Sequence, residues 1–224
     1  MKLWIYQITR DYGFAPNPFH GYCTLATCKP KIRGKNEKIS NGAQVGDWVA
    51  GLGSSAKNSK FVDRLIYAMQ VTEKISFNDY WSDSRFEVKK PMLEARWMYW
   101  YGDNIYHKTS DGEWQQSISH HRRDPKHRRT SNLCRDTSSS FVLISNRFSY
   151  YGQDAPIISK EFLPYTPTGE ALAWPRQGET SKFSEEFVQA FDTWMKAEGL
   201  VGQQGLPYSL VKAHVPELLN SRLS

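Results

Sequence analysis

Two stretches of the chain hold side chains that could contact an anionic, aromatic ligand. The first is Gly13-Phe14-Ala15-Pro16-Asn17-Pro18-Phe19-His20-Gly21. Two prolines two residues apart forbid a helix, so a rigid loop is expected that holds Phe14, Asn17, Phe19 and His20 in fixed places. Aromatic faces stack on a nucleobase, and an amide or imidazole can hydrogen-bond its edge. The same aromatics could equally plug the end of a barrel, and the residues alone leave both readings open. The second stretch is His120-His121-Arg122-Arg123-Asp124-Pro125-Lys126-His127-Arg128-Arg129, with Arg135 beyond it. Over these 16 residues six positive charges stand against Asp124 alone, a net of +5. That exceeds what solubility requires and points to phosphate. Such contacts position a nucleic acid without reading its sequence.

Other chemistries are less well supplied. His120, His121 and His127, with Asp124 and Cys134, are metal-ligand types, but their spacing matches no standard zinc pattern and the arginines would repel a cation. No metal and no cofactor is expected. Cys23 follows His20 by three residues, which in a strand points the two side chains to opposite faces and implies no thiolate pair. Asn132, Arg135 and Asp136 either secure the start of the strand that follows or face the ligand. If the protein is an enzyme, His20, Asp47 and Asp136 are the first candidates for acid/base work. No Walker loop, GxGxxG fingerprint, GxSxG elbow or HExxH helix occurs, and Gly51-Leu52-Gly53 alone is a weak signal.

These residues need a frame. In Val45-Gly46-Asp47-Trp48-Val49-Ala50-Gly51-Leu52-Gly53-Ser54, Gly-Asp suits a tight turn and Trp48-Val49 begins a strand. Gly51 and Gly53 then remove side chains where something approaches the backbone closely. Lys2 to Thr9 and Tyr22 to Cys28 read as strands. Phe61 to Ser76 reads as one long strand, paired in an antiparallel hairpin with the strand from Trp48. Ser139 to Tyr151 reads as another. Asn78 to Asp83 suits one helical turn, and Arg85 to Gly112 suits packed loops or short strands. His107 to Ser138 reads as one long basic loop of the kind that is usually functional or mobile. Phe183, Phe187, Val188, Phe191, Trp194 and Met195 fall at helical spacing. Ser184 is the expected N-cap and Gly199 the C-terminal cap of a flanking helix over 184–198. A short helix around Glu217-Leu218-Leu219 is expected in the tail. No repeat and no linker divides the chain, so one domain over 1–224 is expected, with its barrel strands in 1–76 and 139–152.

The chain has 224 residues, 39% of them hydrophobic, enough to bury a core. No run approaches the roughly 18 to 20 apolar residues of a membrane span. Met1-Lys2-Leu3-Trp4-Ile5-Tyr6 lacks the apolar core and cleavage site of a signal peptide. Three cysteines, an odd number without a CxxC pair, favour reduced thiols in a cytoplasmic protein. Membrane-embedded and disulfide-scaffold classes are therefore set aside.

Gly46-Asp47-Trp48-Val49, ending in Gly51-Leu52-Gly53-Ser54 and followed by Leu65-Ile66-Tyr67-Ala68-Met69-Gln70-Val71, resembles the PUA-like barrels, including the EVE, ASCH and YTH groups. With the Gly13 to Gly21 loop, Cys28-Lys29-Pro30 and Phe148-Ser149-Tyr150-Tyr151-Gly152, the chain resembles more closely the second type of the nucleotide modification associated domain family, over roughly Met1 to Glu198. The resemblance implies an α+β fold, a compact PUA-like (EVE/ASCH-like) mixed β-barrel with flanking helices. PUA-like proteins often hold a flipped or modified base between the barrel and its loops. The closer family brings no defined reaction to carry onto residues here, so Phe14, Asn17, Phe19, His20, Trp48, Gly51, Gly53 and Ser54 transfer as pocket candidates only. Arg122, Arg123, Lys126, Arg128, Arg129 and Arg135 are the expected phosphate contacts. The expected function is a nucleic-acid- or nucleotide-binding module recognising a modified base. The alternative is an enzyme acting on a nucleotide or base, as a glycosidic-bond hydrolase or a base-modifying transferase. A third reading is a protein-interaction module that uses the aromatic-rich middle.

Overall fold

The computed structural model describes residues 1–35, 41–54, 59–92, 97–121, 130–158 and 178–210. In chain order the strands are β1 (Leu3–Ile8), β2 (Cys23–Leu25), β3 (Trp48–Gly53), β4 (Leu65–Gln70), β5 (Glu73–Ser76) and β6 (Tyr106–Lys108). There follow β7 (Trp114–Gln116), β8 (Phe141–Ser145), β9 (Arg147–Tyr150), β10 (Glu179–Thr180) and β11 (Gly202–Gln203). The α-helices are α1 (Pro30–Arg33), α2 (Phe77–Ser82), α3 (Trp97–Trp100), α4 (Thr130–Asp136) and α5 (Glu185–Glu198), and a 3-10 helix spans Ser84–Lys89. The fold is α+β. It divides into two compact units, one of Met1–Gly13, Asp47–Gln70 and Arg147–Ser224, the other of Phe14–Gly46 and Val71–Asn146.

The first unit is a six-stranded mixed sheet in the order β10-β1-β3-β4-β9-β11. β1 runs parallel to β3, and β3 pairs antiparallel with β4 as expected. Residues alternate between the two faces of a strand. Leu3, Ile5, Trp48, Ala50 and Ala68 form one face and pack with Phe187, Val188, Phe191 and Met195 of α5. Tyr6, Ile8, Val49, Tyr67, Met69, Phe148 and Tyr150 form the other and are also buried, so the sheet is covered on both sides. Helix α5 begins where the sequence places it, with Ser184 Oγ accepting the Phe187 N–H at 3.2 Å, and ends at Gly199 with φ +75°.

What approaches the two glycines of β3 is the chain's own side chains and backbone. Tyr6, Gly51, Tyr67 and Tyr150 are successive cross-strand partners in one row. Without a side chain at Gly51, the Tyr67 hydroxyl reaches across and donates to that of Tyr6 at 3.0 Å. A Cβ on Gly51 would lie 2.5 Å from Tyr67 Cε1 and also meet Ile8 Cδ1, while one on Gly53 would run into the Phe61 carbonyl. Gly51→Ala is therefore expected to cost about 1–3 kcal/mol through overpacking. Urea unfolding should show a lowered midpoint with an unchanged slope.

The second unit contains a three-stranded antiparallel sheet, β2-β8-β5, and the β6–β7 hairpin. The two long strands expected over 61–76 and 139–151 are each cut in two. β4 and β9 belong to the six-stranded sheet, while β5 and β8 belong to the three-stranded one. Thr72 marks the first cut: its N–H donates to Ile144 O at 2.9 Å, and its Oγ1 accepts the Asn146 N–H at 3.4 Å. The apolar positions keep one parity across both cuts, from Val71 to Ile75 and from Ile144 to Phe148 with one polar residue of that parity between, and parity cannot show a change of partner. The stretch expected as one loop over 107–138 instead holds β7, most of β6 and helix α4. Among the described residues the ladders do not close into a ring, so the barrel expected from the resemblance is not observed. The helix expected around Glu217 lies outside the described residues.

Candidate functional site

The proline-stiffened loop lies in the second unit and is held from beneath. Asn17 and Thr24 exchange backbone hydrogen bonds at 2.8 and 2.9 Å, which ties the loop to β2. The Asn17 side chain donates to Tyr101 O at 3.0 Å and accepts from Phe19 N–H at 3.3 Å and Lys89 Nζ at 2.7 Å. Asn17 is buried, and both ends of its amide are engaged inside the unit. Lys89 also donates to Tyr22 O and Thr24 Oγ1. Thr24 Oγ1 and the Tyr80 hydroxyl each donate to the Asp103 carboxylate at 2.7 Å. Burial holds the Lys89 ammonium down at about 8 and pushes the Asp103 carboxyl up. This lysine–threonine–aspartate–tyrosine network is the floor of the loop.

Above that floor the rings form a continuous cluster. His20, in a left-handed conformation at φ 61°, stacks on Tyr99 with ring centres 5.1 Å apart. A non-glycine residue held there stores strain that the surrounding contacts must hold in place. Burial and the Lys89 charge keep the His20 imidazole below its ordinary value, so it is neutral at neutral pH. Tyr101 lies 4.6 Å from His120, and Phe14 meets His120 edge-on at 4.3 Å and His121 at 5.1 Å. Phe14, Phe19 and Tyr101 are buried beneath, whereas His20, Tyr99, His120 and His121 keep partial exposure.

His121 connects this cluster to a buried carboxylate. Its Nε2 lies 3.3 Å from Asp136 Oδ2, close enough for charge pairing though not aligned as a hydrogen bond. The Tyr106 hydroxyl donates to the same oxygen at 3.1 Å, and Arg135 Nε donates to Oδ1 at 3.1 Å. Burial pushes the Asp136 carboxyl up, but His121, Arg135 and Arg33 outweigh it and hold it below the ordinary carboxylate range. The guanidinium of Arg33, fully buried, donates to Cys28 O and Phe141 O at 2.8 Å and to Asp136 O at 2.5 Å. It thereby holds Cys28 and Lys29, both at positive φ, against the end of α4. Burial raises both the Cys23 and Cys28 thiols, so neither is an activated nucleophile.

The structure thus distributes the sequence candidates. Phe14, Asn17, Phe19, His20, Arg135 and Asp136 belong to the second unit, Trp48, Gly51, Gly53 and Ser54 to the first. Trp48 is buried beside Phe191, and its indole N–H donates to Asp192 Oδ1 at 3.0 Å. Asp47 accepts the Lys2 N–H at 2.7 Å. In the Phe148 to Gly152 motif, the Tyr150 hydroxyl donates to the Asp11 carboxylate at 2.6 Å, and burial lifts that carboxyl to about 6. Arg122, Arg123, Lys126, Arg128 and Arg129 lie outside the described residues. Arg135 keeps half its side chain exposed. Tyr99, Tyr101, Tyr106, Arg33, Lys89 and Asp103 were not singled out by spacing, since nothing local sets them apart.

The molecule is an α+β protein whose second unit sets an aromatic–histidine cluster beside a buried, charge-paired aspartate. Residues 1–214 of its 224 match the family model described as nucleotide modification associated domain 2, and the chain belongs to that family. The family description links it to nucleotide modification. No curated protein and no solved structure matches the chain significantly. Among the described residues no helix is long and apolar enough to cross a membrane.

Proposed function

We propose that the protein binds a nucleic acid or nucleotide through its second unit. The partly exposed rings of His20, Tyr99 and His121 meet the base, and Arg135 with the arginines of 122–129 meets the phosphates. One observation carries this reading: His121, packed on Phe14, is the residue from which the basic stretch continues. Base contacts and phosphate contacts would therefore come from adjacent residues, which is what recognition of a single nucleotide unit requires. A modified base fits the family description, and the likeness of the Gly46 to Val71 stretch to PUA-like barrels is a fold-level analogy in the same direction.

Changing Arg122, Arg123, Arg128 and Arg129 together to Glu should weaken binding to a short oligonucleotide. The salt dependence should flatten by roughly three to four units, since each phosphate contact adds about 0.9. An unchanged slope, measured by fluorescence anisotropy across a salt series, would remove these residues from the interface. A second reading, an enzyme acting on a nucleotide or base, draws on the buried Asp136 carboxylate beside His121. Turnover of labelled nucleotides would bring it forward.

A further inference from the structure

The Asp11 carboxyl takes no part in the loop floor or the ring cluster. It lies in the first unit, 2% exposed, and forms no ion pair among the described residues. The Tyr150 hydroxyl of β9 lies 2.6 Å from both its oxygens. Gly13 N–H donates to Oδ1 at 3.2 Å and Tyr208 N–H to Oδ2 at 3.4 Å. A buried acid without a countercharge favours its neutral form. Here burial outweighs the three donors and lifts the carboxyl to about 6. The titratable groups that face it, Tyr150 and Tyr208, are phenols and carry no charge in the acidic range. Arg10 beside it in the chain is exposed, as is Asp154 near Gly205.

The same residue holds down the segment 206–210. Ser209 N–H donates to Asp11 O at 2.9 Å, and Asp11 N–H donates to Ser209 Oγ at 3.0 Å. The Tyr208 hydroxyl donates to Ile8 O at 2.9 Å, and its ring stacks on Phe61 with centres 4.0 Å apart. Leu206 O accepts the Gln153 N–H at 2.8 Å, and Leu210 is fully buried. The segment is thus tied at several points to the chain around the ends of β1 and β9.

We infer that residues 206–210 form a proton-sensitive strap, closed most firmly when Asp11 is protonated and loosened when it ionises. Lifting the strap takes away the Tyr208 N–H but lets water reach the carboxylate, so ionisation costs less in the open state than in the closed one. A group whose closed-state value lies above its solvated one adds stability below the lower value and loses it as pH rises through the upper. The window is therefore pH 3.8 to about 6. Acid tightens this part of the first unit, opposite to the usual course in which paired carboxylates weaken a fold as they protonate. The inference stands independently of the nucleotide-binding reading.

Amide hydrogen exchange of the full-length protein, corrected for the intrinsic rate at each pH, reads this opening. Protection of the Ser209 N–H should fall roughly fiftyfold from pH 4 to pH 7, since opening returns the carboxyl from about 6 to 3.8. Amides inside α5, such as that of Phe191, should not share the fall. Asp11→Asn, the uncharged isostere, should flatten the profile. Tyr150→Phe removes a donor to the ionised form and should move the fall to higher pH, a displacement that lost packing alone does not give. Ser209 protection that is equal or greater at pH 7 overturns the inference. So does a fall that α5 shares in full, which would assign the titration to the whole unit, or a fall that persists in folded Asp11→Asn. Where Asp11→Asn does not fold, Tyr150→Phe decides, and an unmoved window overturns the inference.

Discussion

Lys89→Met should lower the melting midpoint by roughly 10 °C. The ammonium is buried with four oxygen partners: Asn17 O at 3.1 Å, Asn17 Oδ1 at 2.7 Å, Tyr22 O at 2.8 Å and Thr24 Oγ1 at 3.1 Å. Methionine fills much of the same volume but removes all four donations, leaving Asn17 Oδ1 only the Phe19 N–H and Asn17 O only its bonds from Thr24. It also leaves the buried Asp103 carboxylate without its nearby positive charge. Removing one partner from a buried charge pair typically costs about 3–5 kcal/mol. For a chain of this size each kcal/mol moves the midpoint by roughly 2–4 °C. Lys89→Met/Asp103→Asn should recover part of the loss, because the stranded charge is then gone.

The same lysine supplies a pH signature. Its folded value is about 8 against an ordinary 10.5. Between those values the unfolded chain binds more protons than the folded one, so this group makes stability rise with pH across that window. The difference between wild type and Lys89→Met should therefore widen from pH 8 to 10.5. Since the floor holds the Phe14 to Gly21 loop, ligand affinity should fall with stability. A midpoint within about 2 °C of wild type would show that the network is not what supports the loop.

In the first unit the helix and the central strands were legible from the sequence, while the edge strands β10 and β11 and the parallel pairing of β1 with β3 were not. Helix α5 could be read because its apolar spacing, its serine cap and its terminal glycine are all local signals. The β3–β4 hairpin was legible for the same reason. The two glycines of β3 were rightly expected to mark a close approach. What they approach, Tyr67 and Phe61, depends on cross-strand register, which no local pattern encodes. The cut at Thr72 was hidden because the apolar positions on either side keep one parity. The Phe14 to Gly21 loop was legible as rigid from its prolines. Its floor was not, because Lys89 and Asp103 are separated from Asn17 by more than 70 residues and look like ordinary surface charges until folding buries them. His121 and Asp136 both stand out in the sequence, one as a metal-ligand type and one as a strand flank or acid/base candidate. Their pairing needed the return of the chain through α4.

Arg33→Met is expected to be the most damaging single change in the second unit. Three backbone carbonyls from three separate segments end on one buried guanidinium: Cys28 after β2, Asp136 at the end of α4 and Phe141 at the start of β8. An orphaned buried acceptor costs about 1–3 kcal/mol. Two at once, with Phe141 O left only the Ser139 hydroxyl at 3.4 Å and the Asp136 carboxylate losing a countercharge, would remove much of the usual 5–15 kcal/mol of a domain's stability. Arg33→Met should therefore yield mostly unfolded or aggregated protein. Arg33→Lys is the informative partner. Lysine keeps the charge, but its single ammonium cannot span the three carbonyls that the planar fork reaches. That variant should fold with a midpoint lowered by the carbonyls it cannot reach. A folded Arg33→Lys with an unchanged midpoint would show that one buried charge, without the planar fork, is enough to hold the three segments together.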